Sequence, residues 1–188
     1  MSEQAEKGGR FARSHADAGI VVLPNAWDAG SAIMMVEAGF PAIATTSAGI
    51  ACAMGLPDGQ HLTRERMLDQ VADIAAAVAV PVTADLEAGY GASPEDVART
   101  VRGAIAAGAV GCNIEDASGD ADHPLFDFEL ACERIRAGAE AARAAGAPPF
   151  VLNARTDPFL VRRGADDANF SEAVRRANAY REAGADCL

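Results

Sequence analysis

Several short stretches of this sequence place carboxylates, an arginine and small polar residues at spacings suited to chemistry on an anion. Val82-Thr83-Ala84-Asp85-Leu86-Glu87 carries two acids two residues apart, and an extended strand turns such a pair to one side. Asn113-Ile114-Glu115-Asp116 and Pro57-Asp58-Gly59 add further carboxylates. Acids gathered on one rim raise one another's pKa unless a counter-charge intervenes. A hard divalent cation, Mg2+ or Mn2+, supplies that charge while keeping most of its waters. Asp85, Glu87, Glu115 and Asp58 are therefore the expected metal residues. In Asn153-Ala154-Arg155-Thr156-Asp157, Arg155 faces with Asn153 and Asp157, where a guanidinium can grip a carboxylate or phosphate with two donors. The competing reading of Arg155 is a structural ion pair with Asp157. The small residues of Thr45-Thr46-Ser47-Ala48-Gly49 let backbone amides approach a ligand, so Ser47, Ala48 and Gly49 form a candidate anion cradle. Trp27 is expected to pack at the same mouth, where it or Asp28 could line the substrate pocket.

The remaining reactive side chains have less to recommend them. His15 and His61 lack a partner motif and are expected to be surface or structural residues, while His123 lies in a polar loop where a gating or acid–base role is open. Cys112 sits in an apolar run and reads as packing; Cys52 lies near the cradle with nothing beside it to activate a thiolate. Cys52, Cys112, Cys132 and Cys187 form no CxxC pair, which fits reduced thiols in a cytoplasm better than disulfides or a zinc site.

What must position these residues is a repeating unit. Apolar runs at 20–23, 41–44, 81–84, 109–114, 149–153 and 185–188 predict strands covered on both faces, as in a parallel sheet. Helices are predicted at 28–38, 64–78, 94–107, 127–145 and 170–183. Ser93-Pro94-Glu95-Asp96 opens one of them with a capping serine, a first-turn proline and acids at the positive end of the dipole, and four helices close on Ala-Gly or Ala-Ala-Gly tails. No GxGxxG follows the first strand, so an open dinucleotide-binding sheet has no support. Polar residues instead collect at strand C-termini, as in a (β/α)8 barrel. At roughly 33 residues per unit, eight units need about 260 residues, near the ~250 usual for such barrels. The expectation is a single α/β barrel domain over 1–188, incomplete in or near a sixth strand, with the natural protein continuing for about 70–90 residues, and with 1–18 as an N-terminal helical or flexible segment.

Composition narrows the class. The chain has 188 residues, with 16 Lys and Arg against 27 Asp and Glu for a formal net charge of −11; nucleic acid is not an expected partner. No apolar run approaches the ~20 residues of a membrane span, and the polar N-terminus lacks the core of a secretion signal. A cytoplasmic enzyme-like protein is expected.

As an ordered set, Leu23-Pro24-Asn25-Ala26-Trp27-Asp28, Thr45-Thr46-Ser47, Leu56-Pro57-Asp58-Gly59, Ala84-Asp85-Leu86-Glu87-Ala88-Gly89-Tyr90-Gly91, Asn113-Ile114-Glu115-Asp116 and Asn153-Ala154-Arg155-Thr156-Asp157 resemble the isocitrate lyase/phosphoenolpyruvate mutase superfamily. The resemblance implies a (β/α)8 barrel, a homotetramer exchanging its last helix, Mg2+, and a small 2-oxo or 2-hydroxy acid substrate. It implies that Asp85 holds the metal directly and Asp58, Glu87 and Glu115 through waters. Ser47 and the Ala48 and Gly49 amides would take the substrate carboxylate, Arg155 its other oxygens, with Asn153 and Trp27 in the pocket and Asp58 and Arg155 as the catalytic residues.

One departure sharpens the expectation. Lyases of the family carry Lys-Lys-Cys-Gly-His or Lys-Arg-Cys-Gly-His after the fourth strand, with the cysteine as proton donor, and phosphonate-forming members carry Lys-x-Asn. Residues 117–125 here contain no lysine and no cysteine, which argues against isocitrate or methylisocitrate lyase and against the mutase. The expected activity is a Mg2+-dependent carbon–carbon lyase of decarboxylase or hydrolytic type, in which cation and guanidinium stabilise an enolate. A phosphonomutase-like enzyme is the alternative, and a non-catalytic metabolite-binding barrel the second.

Overall fold

The computed structural model describes residues 2–17, 19–146, 149–161 and 165–188. Five strands, β1 (Asn25–Ala26), β2 (Ile43–Thr45), β3 (Val82–Asp85), β4 (Gly111–Glu115) and β5 (Val151–Arg155), form one parallel sheet in the order of the sequence. That unreversed order is the winding of a barrel wall; a doubly wound sheet reverses direction at its switch point. Eight helices fill the connections among the described residues: α1 (Glu3–Ala16), α2 (Ala29–Glu37), α3 (Ser47–Ala53), α4 (Arg64–Ala77), α5 (Pro94–Ala106), α6 (Phe128–Ala144), α7 (Pro158–Val161) and α8 (Asp166–Ala183). None is long and apolar enough to cross a membrane.

Local chemistry explains the boundaries. Asp28 and Ser93 each close a capping box on α2 and α5, Thr63 caps α4, and Gly184 ends α8 at φ 111, a conformation that costs glycine little. Val82, Ala84, Cys112, Ile114, Leu152 and Ala154 alternate outward and join Met67, Val71, Ile74, Val97, Val101 and Ile135 of the helices in one core. Burial of each large aliphatic side chain contributes about 1.5–3 kcal/mol.

The opposite faces of the strands build layers. Thr83, Gly111 and Val151 pair across the sheet, then Asp85, Asn113 and Asn153, then Glu115 and Arg155. At the lowest layer α1 inserts Phe11: a Cβ on Gly111 would lie 2.9 Å from its ring and 2.9 Å from the Val151 carbonyl, so only glycine leaves room for this floor. Chemistry-bearing residues occupy the layers toward the strand C-termini.

Two expected strands are corrected. Residues 20–23 are not paired; Ile20 and Val22 are 94% and 61% exposed, and the first ladder begins only where Asn25 and Ala26 meet Ala44 and Thr45. Residues 185–188 form no strand beyond one parallel bridge, Asn153 to Cys187, although Asp186 and Cys187 exchange backbone bonds with Leu152 and Ala154. The last helix starts at Asp166 rather than 170. Residue 18 of the expected N-terminal segment lies outside the described residues, and residues 3–16 of it are helix α1.

Candidate active site

Asp85 ends β3 and is held on both oxygens. Its Oδ2 accepts the Ser47 amide at 2.9 Å and the Ser47 hydroxyl at 2.7 Å, and its Oδ1 accepts Nδ2 of Asn113 at 2.8 Å. Its own amide donates to Oγ1 of Thr45 at 2.9 Å. The stretch 47–49 is therefore the first turn of α3 rather than a loop. Thr46 caps it by accepting the Gly49 amide at 3.1 Å, so the Ser47 and Gly49 amides are both engaged within the protein.

Beyond Asp85 the strand stops, and with it the two-residue period. Glu87 turns left-handed at φ 49, as do Gln60 at 61 and Tyr90 at 57, and among the described residues these are the non-glycine residues with positive φ. They bond to one another. The Gln60 amide donates to Oε2 of Glu87, the Tyr90 hydroxyl donates to Oε1 of Glu87 at 3.0 Å, and the Tyr90 amide donates to Oε1 of Gln60 at 2.7 Å. Backbone strain of this kind persists only where the surroundings over-determine it, and it clusters at functional sites. The triangle ties the Asp58-bearing loop to the turn after β3; Asp58 itself is exposed.

Arg155 ends β5. Its Nε and Nη2 donate to Oδ1 and Oδ2 of Asp157 at 2.8 and 2.9 Å, and its Nη1 lies 2.8 Å from Oε2 of Glu115. The expected Arg155–Asp157 pair thus exists, while Arg155 also reaches the candidate metal residue. Asp116 anchors this cluster from behind. It accepts the Tyr180 hydroxyl at 2.6 Å, the Thr156 hydroxyl at 2.7 Å, the Asp157 amide at 2.9 Å and Nη1 of Arg176 at 3.1 Å.

Asn153, Asn113, Thr45 and Asp85 line one cavity with Arg155. The Asn153 Oδ1 is buried and unpartnered, alone in this among buried side-chain N and O atoms of the described residues. Trp27 is 44% exposed beside Gly49, whose added Cβ would approach the Trp27 Cβ at 3.1 Å. Asp28 caps α2. His15 stacks edge-on to Phe11 at 4.5 Å and contacts its carbonyl, a structural role. His61, His123 and Cys52 are exposed, and Cys112 and Cys132 are buried. Sequence reasoning left out Tyr90, Gln60, Thr45, Asn113 and the Asp116 network; the Gly-Tyr-Gly run and the paired Asn113 and Asn153 were the available signals.

The electrostatics are lopsided. Burial pushes Glu115 up to about 8, Arg155 opposing and Asp157, Asp85 and Glu87 adding to the rise. Burial also raises Glu87, against the Gln60 and Tyr90 bonds and with help from the charges of Asp58 and Asp85. Burial works against the Arg155 cation, but Asp157 and Glu115 hold its pKa up. Arg155 is the cation paired with Glu115 and Asp157, and an all-oxygen donor set such as Asp85, Glu87 and Glu115 is of the type that suits a hard divalent ion. Among the described residues no three His, Cys, Asp or Glu side chains converge as a direct coordination shell.

Comparison with known proteins places the chain in a family. The sequence profile of the phosphoenolpyruvate phosphomutase family matches residues 11–188. A solved lyase/mutase candidate from Burkholderia cenocepacia J2315 is 46% identical with a TM-score of 0.90, over 97% of this chain and 63% of that one. Oxaloacetate acetylhydrolase, solved with its product oxalate, is 30% identical with a TM-score of 0.83, over 95% of this chain and 61% of that one. The 2-methylisocitrate lyase of Escherichia coli K12 is 36% identical over 168 residues, 86% of this chain and 54% of the enzyme. This chain thus spans little more than half the length of such relatives. From sequence, strand order and the residues at the strand ends together, the chain belongs to the phosphoenolpyruvate mutase/isocitrate lyase superfamily.

Proposed function

We propose that the chain carries the charge-stabilising half of a lyase that breaks a carbon–carbon bond in a small 2-oxo or 2-hydroxy carboxylic acid, by decarboxylation or hydrolysis. The observation that carries this is Arg155, paired with Glu115 and Asp157, lining one cavity with Asp85 and Asn113. A guanidinium with neighbouring acids at a strand end orients an anionic substrate by two donors. Cleavage leaves negative charge on the 2-oxo oxygen, and Arg155 stands where it can share that charge as it develops. Ser47 and Asn113 hold the Asp85 carboxylate in one orientation. A divalent cation, held directly by Asp85 and through water by Asp58, Glu87 and Glu115, would supply Lewis-acid stabilisation. Residues 117–125 close on themselves through a bridge from Ala117 to Leu125 and offer no lysine or cysteine. That supports hydrolysis or decarboxylation, in which water or a weak acid returns the proton. Solution as a cytoplasmic homo-oligomer belongs to the same reading.

A second reading, a phosphonate-forming mutase, is favoured by the name of the matching family and by relatives and solved structures named as mutases. Titration of the full-length protein with Mg2+ and oxalate decides whether the site is placed correctly. Binding of each should strengthen the other and vanish in Asp85→Ala; equal binding by that variant sinks the assignment. Product identification on oxaloacetate-like and phosphonate acids separates the two reactions.

A further inference from the structure

The turn after β3 has no regular structure to hold it, yet every carbonyl from residue 88 to 91 is taken by a side chain of a surrounding helix. Arg134 of α6 donates to the Ala88 carbonyl through Nη2 and to the Gly91 carbonyl through Nη1 at 2.7 Å. The Thr100 hydroxyl of α5 donates to the Gly89 carbonyl at 2.7 Å, and Nη2 of Arg64 on α4 donates to the Tyr90 carbonyl at 2.5 Å. Nε of Arg64 donates to Oγ1 of Thr100 at 2.7 Å, joining two of the three. All are deeply buried: Thr100 is 0%, Arg134 1% and Arg64 5% exposed.

Burying two guanidiniums is expensive. Burial pulls the Arg134 pKa down to about 10, and the Phe126 ring 4.0 Å away is its aromatic neighbour. Apolar side chains would pack the same helices at lower cost. What they could not do is bond to a turn in which Glu87 and Tyr90 are both left-handed. Among the described residues no carboxylate of the candidate cation set pairs with either guanidinium; Arg64 pairs with Asp96, at 3.3 Å. Their hydrogen bonds go to the backbone that aims Glu87.

We propose that Arg134, Thr100 and Arg64 are positioning residues whose bonds to the 88–91 carbonyls fix the Glu87 carboxylate beside Asp85 for a divalent cation. The inference rests on the cation site proposed above and names what holds part of it in place. Such supporting partners commonly change metal affinity by about 10–100-fold.

The test is Mn2+ binding to the full-length protein, followed by electron paramagnetic resonance of the free ion alongside thermal melting. Arg134→Lys keeps a buried cation but loses the planar fork whose two nitrogens serve the Ala88 and Gly91 carbonyls. Thr100→Val removes one hydroxyl at nearly constant volume, and Thr100→Ser restores it. The expected result is cooperative melting of Arg134→Lys and Thr100→Val with Mn2+ affinity weakened about tenfold or more, and recovery in Thr100→Ser. Folded variants with wild-type affinity overturn the proposal, since a merely structural role would lower the melting temperature and leave the folded site intact. Should Arg134→Lys fail to melt cooperatively, the Thr100 pair decides, and equal affinity in valine and serine forms overturns it. Asp85→Ala separates the two levels. Wild-type Mn2+ binding by Asp85→Ala removes the site itself; binding that needs Asp85 but ignores Arg134 and Thr100 removes only this inference.

Discussion

The hydroxyl of Tyr180 on the last helix donates to Asp116 at the end of β4 at 2.6 Å, across 64 residues of sequence. Burial and the Asp116 charge push the tyrosine pKa above its ordinary range, so it remains a donor at neutral pH. Tyr180→Phe should cost about 1–2 kcal/mol in urea unfolding, because three other donors still serve Asp116. Asp116→Ala should cost about 3–5 kcal/mol by leaving Arg176 short of a buried partner. An unchanged unfolding midpoint for Tyr180→Phe would show that the bond adds nothing.

Arg155 makes its fork to Asp157 and reaches Glu115 with the remaining nitrogen. Lysine is a point charge and cannot satisfy that geometry. Arg155→Lys should weaken oxalate binding by about tenfold or more, at a cost of about 1.4 kcal/mol per decade, with little change in melting temperature. Calorimetry of the full-length protein reads this directly, and unweakened oxalate binding would remove Arg155 from the substrate site.

Gly91 adopts φ 156, and a Cβ there would stand 2.3 Å from the Asp96 carboxyl carbon. Gly91→Ala should therefore destabilise by more than about 1 kcal/mol and disturb the capping box of α5. Denaturant titration checks the first effect and helix content the second; a neutral substitution would mean that the turn relaxes freely.

Acid should loosen two helix starts. Bonding to the Ser93 hydroxyl lowers Asp96 from 3.8, with burial opposing and the Ser93 amide and Arg64 assisting. Bonding to the Ser31 amide and hydroxyl lowers Asp28 from the same value. Each folded pKa lies below the unfolded one, so the stabilisation is fully present above about pH 4 and is lost as pH falls through the folded values. The denaturation midpoint should drop on acidification below pH 4, less steeply in Asp96→Asn. Identical slopes for variant and wild type would exclude Asp96 as a contributor.

Much of the frame was legible because β2 to β5 are covered on both faces, and their apolar runs mark them within two residues. Strand β1 was misplaced because Ile20 and Val22 are apolar without being buried. Helix α3 was hidden in Ser47-Ala48-Gly49, where Ser47 and Gly49 weaken the helical signal at its start and the Thr46 cap organises the first turn. At the site, alternation turned Arg155 with Asn153, and the structure has both lining one cavity with Asp85. It failed at Glu87, because the pattern assumes an extended backbone where the chain has turned left-handed. The Asp116 hub was invisible since its donors come from α8 and from Thr156 and Asp157 just after β5, and no local spacing encodes such a meeting.

The turn carrying Glu87 and Tyr90 borrows its shape from Arg64, 26 residues earlier, and from Arg134, 43 residues beyond Gly91. Closing such loops carries an entropic cost that precedes any gain from the contacts. During refolding, helical signal should therefore return before the protein regains its ability to capture Mn2+, leaving a transient population with a finished scaffold and an unfinished centre.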